Sequence, residues 1–146
     1  MEKSSFAAGC FWGVEHAFKQ IDGVLSTKVG YQGGESEVTS YPEVCSGKTG
    51  HAEVVEVVFD PKIVKYDRLL DAFFFMHDAS QLNRQGPDVG TQYRSALFPE
   101  TEQHFKVAQA YIDALIENGL KIETTIEENA KFLEAEAGHQ DYLASN

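Results

Sequence analysis

Residues 7–13 read AAGCFWG. A thiol with glycine before it, two aromatic rings after it and a second glycine beyond can do nucleophilic chemistry. The apolar residues ahead of Cys10 suit a strand and the periodicity behind it suits a helix, so Cys10 opens that helix. Unpaired backbone N–H groups and the positive end of the helix dipole lower a thiol pKa there and raise its thiolate fraction. Gly9 and Gly13 relieve crowding on either side. The other reading of Cys10 is a buried cysteine acting as a small hydrophobe. On a helix, Phe11 and Trp12 point about 100° apart, so both cannot face one core. At least one ring reaches a surface or cleft, and an aromatic wall beside a thiolate suits a small apolar group such as a methyl.

A proton donor is the second requirement. Glu53 stands near the head of the apolar run HAEVVEVVF (51–59). Desolvation there raises a carboxyl pKa, and a carboxyl neutral at pH 7 donates a proton. The alternative is an edge glutamate facing water. His51 shares its strand face by the period of two. Asp88 lies in QGPDVGTQYRS (85–95), where Gly86-Pro87 and Gly90 set tight turns and Tyr93 follows. Tyr41 precedes Pro42, which holds it extended. A tyrosine hydroxyl is a neutral donor, suited to an oxygen without a full charge.

Two other chemistries lack their motifs. SGKTG (46–50) imitates a phosphate loop, but position 42, where that motif needs glycine, is Pro42. The histidines at 16, 51, 77, 104 and 139 form no HExxH and no pair at metal spacing, so no metal is expected. Cysteine–histidine hydrolase chemistry stays open, because spatial neighbours are not visible in a sequence.

The elements that must position these residues follow from period and punctuation. Ser5–Gly9 reads as a strand. Val14, Ala17, Phe18 and Ile21 mark a helix over 13–21, stopped by Asp22-Gly23. Val24–Tyr31 is a strand. Gln32–Gly50 is a long loop without periodicity, a length that usually has a job. A strand over 51–59 ends at Asp60-Pro61, and a helix covers 67–77. A second long loop spans 77–92, and Tyr93–Phe98 is a strand. A helix over 100–118 turns Phe105, Ala108, Ile112, Leu115 and Ile116 inward. Lys121–Glu127 alternates as a strand, and 130–137 reads as a short helix. The order β-α-β-β-α-β-α-β-α fits one sheet with helices packed against it.

The 146 residues fit a single catalytic domain, 1–146. The net charge of −11 repels phosphate backbones and anionic lipid, so neither nucleic acid nor membrane is an expected partner. No apolar run approaches the roughly 20 residues of a membrane span. Phe6–Val14 behind Lys3 imitates a short signal peptide, but Trp12-Gly13-Val14-Glu15 is a poor cleavage site, so the expected location is cytoplasmic. The two cysteines, Cys10 and Cys45, form no CxxC. In a reducing compartment a disulfide between them would be transient and catalytic.

GCFWG (9–13), YPEVCSGKTGHAE (41–53), NRQGPDVGTQYRS (83–95) and GHQDYL (138–143) together resemble peptide methionine sulfoxide reductase of class A. The resemblance runs from Phe6 to Leu143. It implies an α+β two-layer sandwich with a mixed sheet and a ferredoxin-like core. It implies reduction of methionine-S-sulfoxide, free or in proteins, with no bound cofactor. Cys10 would attack the sulfoxide sulfur, Phe11 and Trp12 would hold the methyl, and Glu53 would protonate the oxygen. Tyr41 and Tyr93 would donate hydrogen bonds to that oxygen, and Asp88 would help position the site. Cys10 would be left as a sulfenic acid.

Many members of that family carry a resolving cysteine in a C-terminal tail. This sequence stops three residues after Leu143 without one. The implied reductant is therefore an external thiol, glutathione with glutaredoxin or thioredoxin directly, with Cys45 as the alternative. Two competing uses of the same residues are a thiol peroxidase and a non-catalytic module that grips methionine segments. A peroxidase relies on an arginine, for which Arg84 and Arg94 are the nearby candidates. Both lie in blocks of the reductase pattern.

Overall fold

The computed structural model describes residues 1–34, 40–47, 49–128 and 131–145. In chain order the elements are β1 (Glu2–Ala8), α1 (Phe11–Lys19), β2 (Val24–Gln32), α2 (Tyr41–Cys45), β3 (Ala52–Phe59), α3 (Tyr66–Met76), a hairpin of β4 (Arg84–Gln85) and β5 (Asp88–Val89), β6 (Ser95–Phe98), α4 (Glu102–Glu117), β7 (Thr125–Ile126), β8 (Leu133–Glu134) and α5 (Tyr142–Ser145). Single 3₁₀ turns lie at Thr91–Tyr93 and Ala137–His139.

The sheet order is β7-β6-β1-β3-β2-β8. Every pairing is antiparallel except β6 with β7, which makes the sheet mixed. β3 lies between β1 and β2 and runs against both, so α1 crosses over it in a split β-α-β unit. The inner order β6-β1-β3-β2, with α1 and α3 as the connections, is the ferredoxin-like arrangement.

Alternation along the strands sorts two layers. Phe6, Val29, Tyr31, Val55, Val57, Phe59 and Leu97 meet Phe11, Val14 and Phe18 of α1, Leu69, Leu70 and Phe73 of α3, and Ala108 and Ile112 of α4. Ala7, Ala52, Val54, Ala96 and Phe98 form a smaller cluster on the other face. Glu53 has the parity of Val55 and Val57, so it points into the helix layer beside its cross-strand partner Tyr31.

Between β1 and α1 the chain turns in two residues. Gly9 makes this possible with φ of 95°. A Cβ there would meet Gln85 Cβ at 2.9 Å, so the glycine also lets the hairpin pack against the turn.

Several elements differ from the sequence reading. The helix expected over 130–137 is absent over the described part of that span; position 130 lies outside the described residues. Leu133 and Glu134 instead form β8 on the edge of β2. Leu133 packs against the helix-side core and Phe132 against the opposite cluster, a period of two rather than 3.6. The strand expected over 121–127 shrinks to Thr125–Ile126, which pair with Ala96 and Leu97 of β6. On α4 the buried stripe is His104, Ala108 and Ile112, spaced by four, while Ile116 is 51% exposed. His104 replaces Phe105 inward because its ring nitrogens bond Ser4 Oγ at 2.8 Å and Glu2 Oε1 at 3.0 Å.

The loop over 32–50 contains α2. Its residues 35–39 and Lys48, part of the SGKTG stretch, lie outside the described residues. Tyr41 opens α2, and Ser40 rather than Tyr41 holds the extended conformation, at φ −135° and ψ 164°. The loop over 77–92 carries the β4–β5 hairpin, which presents Asp88.

Candidate active site

Cys10 is the N-cap of α1 and half-buried. At Gly13 a Cβ would meet nothing within 4 Å, so that flank lies open to an incoming group. Glu53 is 1% exposed. Its Oε1 accepts a hydrogen bond from Phe11 N at 3.1 Å, one residue from the thiol. Its Oε2 is buried and has no hydrogen-bond partner among the described residues. Burial pushes the Glu53 pKa up to about 7, against the lowering pull of Phe11 N–H and with a further push from Asp88. A carboxyl so placed holds its proton over much of the neutral range and has one oxygen free to donate it.

The thiol departs from the sequence reading. Burial raises the Cys10 pKa, and the Trp12 and Gly13 N–H groups only oppose that rise. The negative charges of Glu53 and Asp88 add to it. The helix start therefore acts as expected but is outweighed by desolvation and by neighbouring acids. Neutralising Glu53 removes one of the charges that hold the thiol protonated.

Tyr41 and Tyr93 face the same space. Burial pushes both hydroxyls to higher pKa, helped by a hydrogen bond to the Cys45 side chain at Tyr41 and by the Glu53 charge at Tyr93. Both remain neutral donors. Asp88 acts on Cys10, Glu53 and Tyr93 through its charge. The residues singled out in three separate sequence blocks thus converge on one place.

The two rings divide as their helical spacing requires. Phe11 is fully buried, with ring centroids 5.7 Å from Tyr31 and 6.0 Å from Tyr41. Trp12 is half-buried. It stacks on Tyr142 at 4.1 Å and donates Nε1–H to His139 Nδ1 at 3.2 Å. His139 also lies 4.4 Å from Tyr41 and 5.6 Å from Phe11 between ring centroids. Its Nδ1 is thereby committed to Trp12. Arg94, one candidate for peroxide chemistry, forks onto both oxygens of Glu127 at 2.9 Å, and Arg84 donates to Gly86 O.

Sequence reasoning missed Tyr31, Glu136, His139 and Tyr142 as parts of this site. Glu136 accepts from Tyr31 hydroxyl at 3.0 Å and from Tyr41 N at 3.1 Å, tying α2 to β2. The only signal for the last three was the block GHQDYL and the residues just ahead of it. Among the described residues, no group of three or more His, Cys, Asp or Glu could hold a metal ion, and no helix is long and apolar enough to cross a membrane.

The chain is similar to known proteins over nearly its full length. The family model described as peptide methionine sulfoxide reductase matches residues 2–146. A protein of Methanothermobacter thermautotrophicus named peptide methionine sulfoxide reductase MsrA is 53% identical over 148 residues, spanning 99% of this chain and 88% of that protein. The reduced form of Mxr1 from Saccharomyces cerevisiae superposes with a TM-score of 0.90 at 41% identity, over 99% of this chain and 85% of the other. Mxr1 in complex with Trx2 superposes at 0.66 and 29% identity, over 97% of this chain and 84% of the other.

Proposed function

The chain belongs to the peptide methionine sulfoxide reductase family, and we propose that it reduces methionine-S-sulfoxide, free or within proteins, through Cys10 as nucleophile. It is an oxidoreductase that works without a bound cofactor. The Cys10 sulfur attacks the sulfoxide sulfur. Glu53 gives its proton to the sulfoxide oxygen, and the Tyr41 and Tyr93 hydroxyls donate to that oxygen as negative charge builds on it. The oxygen ends on Cys10 as a sulfenic acid, and methionine leaves with the electron pair of the thiol. Asp88 contributes by its charge, keeping the proton on Glu53. Phe11 and Trp12 hold the methyl and keep the site dry.

One observation carries this reading: a buried carboxyl with one unpartnered oxygen, hydrogen-bonded to the residue after the cysteine. The test is a single turnover without reductant. One methionine should be released per protein from the S-epimer, and Cys10 should gain one oxygen by mass. Release from both epimers alike, or none from either, would refute it.

The sulfenic acid needs two thiol equivalents, one forming a mixed disulfide with loss of water and one releasing Cys10. An external thiol supplies them. Thioredoxin fits, since a solved relative is in complex with one, and glutaredoxin with glutathione fits the same chemistry. Either system fits a cytoplasmic location, where such thiols are kept reduced. Cys45→Ser should keep multiple turnover with either system, because Cys45 engages the Tyr41 hydroxyl in the resting site. First-turnover release followed by arrest would instead make Cys45 the resolving cysteine.

A further inference from the structure

Glu15 lies on α1 one turn beyond Trp12 and is 2% exposed. That is an unfavourable place for an acidic side chain unless its oxygens are satisfied. Both are: Oε2 accepts from Thr27 Oγ1 at 2.7 Å, and Oε1 accepts from Asp141 N at 2.8 Å. Asp141 has φ of 52°, a left-handed conformation uncommon outside glycine, though aspartate tolerates it better than most residues. Lys19 pairs with the Asp141 carboxylate from the same helix. The next residue, Tyr142, is the ring stacked on Trp12 at an interplanar angle of 17°. The crevice left between Trp12, Glu15, Lys19 and Asp141 measures about 10 Å³, at or below what one water needs. Indole, tyrosine and carboxyl are therefore close-packed, and a shift at one is felt at the others.

We propose that Glu15 is a positioning residue for the methyl-binding wall. By holding the Asp141 amide it fixes Tyr142, and through Tyr142 it fixes the plane of the Trp12 indole. This rests on Trp12 lining the substrate site, as proposed above. Without the acceptor, the bend at Asp141 relaxes, Tyr142 leaves the indole and Trp12 gains rotamers. Substrate is then held less tightly, while the Cys10 sulfur is untouched.

Trp12 is the only tryptophan of the chain, so its fluorescence reports this contact directly. Glu15→Leu should red-shift the emission and raise KM for the S-sulfoxide about tenfold, with kcat changed by less than about twofold. The rate of Cys10 alkylation by iodoacetamide should stay at the native value. Glu15→Gln keeps an oxygen for Asp141 N and should restore both emission and KM. Tyr142→Ala should reproduce the Glu15→Leu signature, and the double variant should be no worse than either alone. Native emission and KM in Glu15→Leu, or additive effects in the double variant, would overturn the proposal. Should Glu15→Leu fail to fold, hydrogen exchange in the unaltered protein decides. The Asp141 amide should exchange at least about 100-fold slower than in a free peptide, and exchange at the peptide rate would overturn the assignment. Emission and exchange require no turnover, so they remain readable even if the reductase chemistry is wrong.

Discussion

Cys10→Ser is expected to release no methionine from a sulfoxide, a loss of at least about 10⁴-fold in the single-turnover rate. A serine hydroxyl is far harder to ionise than a thiol, and the apolar side of this site makes ionisation harder still. Its oxygen is also a poor acceptor for the sulfoxide oxygen, because the product would be a peroxide rather than a sulfenic acid. The substitution is nearly isosteric at a half-buried position, so the fold should persist and substrate should still bind. Quantifying methionine after mixing equimolar protein and S-sulfoxide checks this. Stoichiometric release by Cys10→Ser, with the oxygen found on Cys45, would move the nucleophile to the other cysteine.

Glu53→Gln should have two large effects of opposite sign. The single-turnover rate should fall about 10²- to 10³-fold near pH 7, the usual contribution of a positioned general acid. The pH profile identifies the cause. Reaction needs the Glu53 proton and the Cys10 thiolate together. Below about 7 the native rate should climb with pH as thiolate forms. Above about 7 it should level off, since each gain in thiolate is matched by loss of the Glu53 proton. In Glu53→Gln the rate should keep climbing past pH 7. A native rate that climbs without levelling through pH 8 would remove Glu53 as the acid.

The second effect is on stability. The Glu53 pKa rises from 4.5 to about 7 on folding, so between those values the native state binds more protons than the unfolded chain. Stability then falls as pH rises from 4.5 to about 7 and is level beyond. A neutral amide escapes that loss, so Glu53→Gln should be more stable than the native protein at pH 8, by on the order of 3 kcal/mol. The gain should vanish below pH 4.5, where the native carboxyl is also neutral in both states. Urea unfolding at pH 8 and pH 4 checks the sign. A Glu53→Gln protein less stable at pH 8 would mean that the buried carboxyl is not strained by its charge.

Much of this site was legible because its residues are locally encoded. The strand–glycine–cysteine–helix sequence of residues 5–21 gave the position of Cys10, and the β-branched run 51–59 gave the position of Glu53. The inward direction of Glu53 follows from strand parity, and the upward push of burial on its pKa follows from the apolar run around it. The smaller push from Asp88, which arrives from a hairpin 35 residues further on, does not follow from the strand. The Cys10 pKa was misjudged for the same reason: helix-start N–H groups are local, while desolvation and opposing charges come from tertiary packing. The span read as a helix over 130–137 holds β8 instead, and only the second cluster on the far side of the sheet reveals that Phe132 and Leu133 face opposite ways. Tyr31 looked like any strand tyrosine until its register opposite Glu53 was fixed.

Among the described residues the indole at position 12 has its hydrogen-bond acceptor at position 139 and its tightest stacking partner at position 142, with Tyr41 stacked further off at 6.1 Å. The nucleophile and its acid lie within the first 53 residues, while part of the wall that orients the substrate comes from beyond position 138. A chain truncated after Glu136 should thus carry an alkylatable thiol yet grip its substrate poorly. Competence for repair would then depend on the segment 139–142 docking onto the indole, as a step separate from assembly of the nucleophile and its acid.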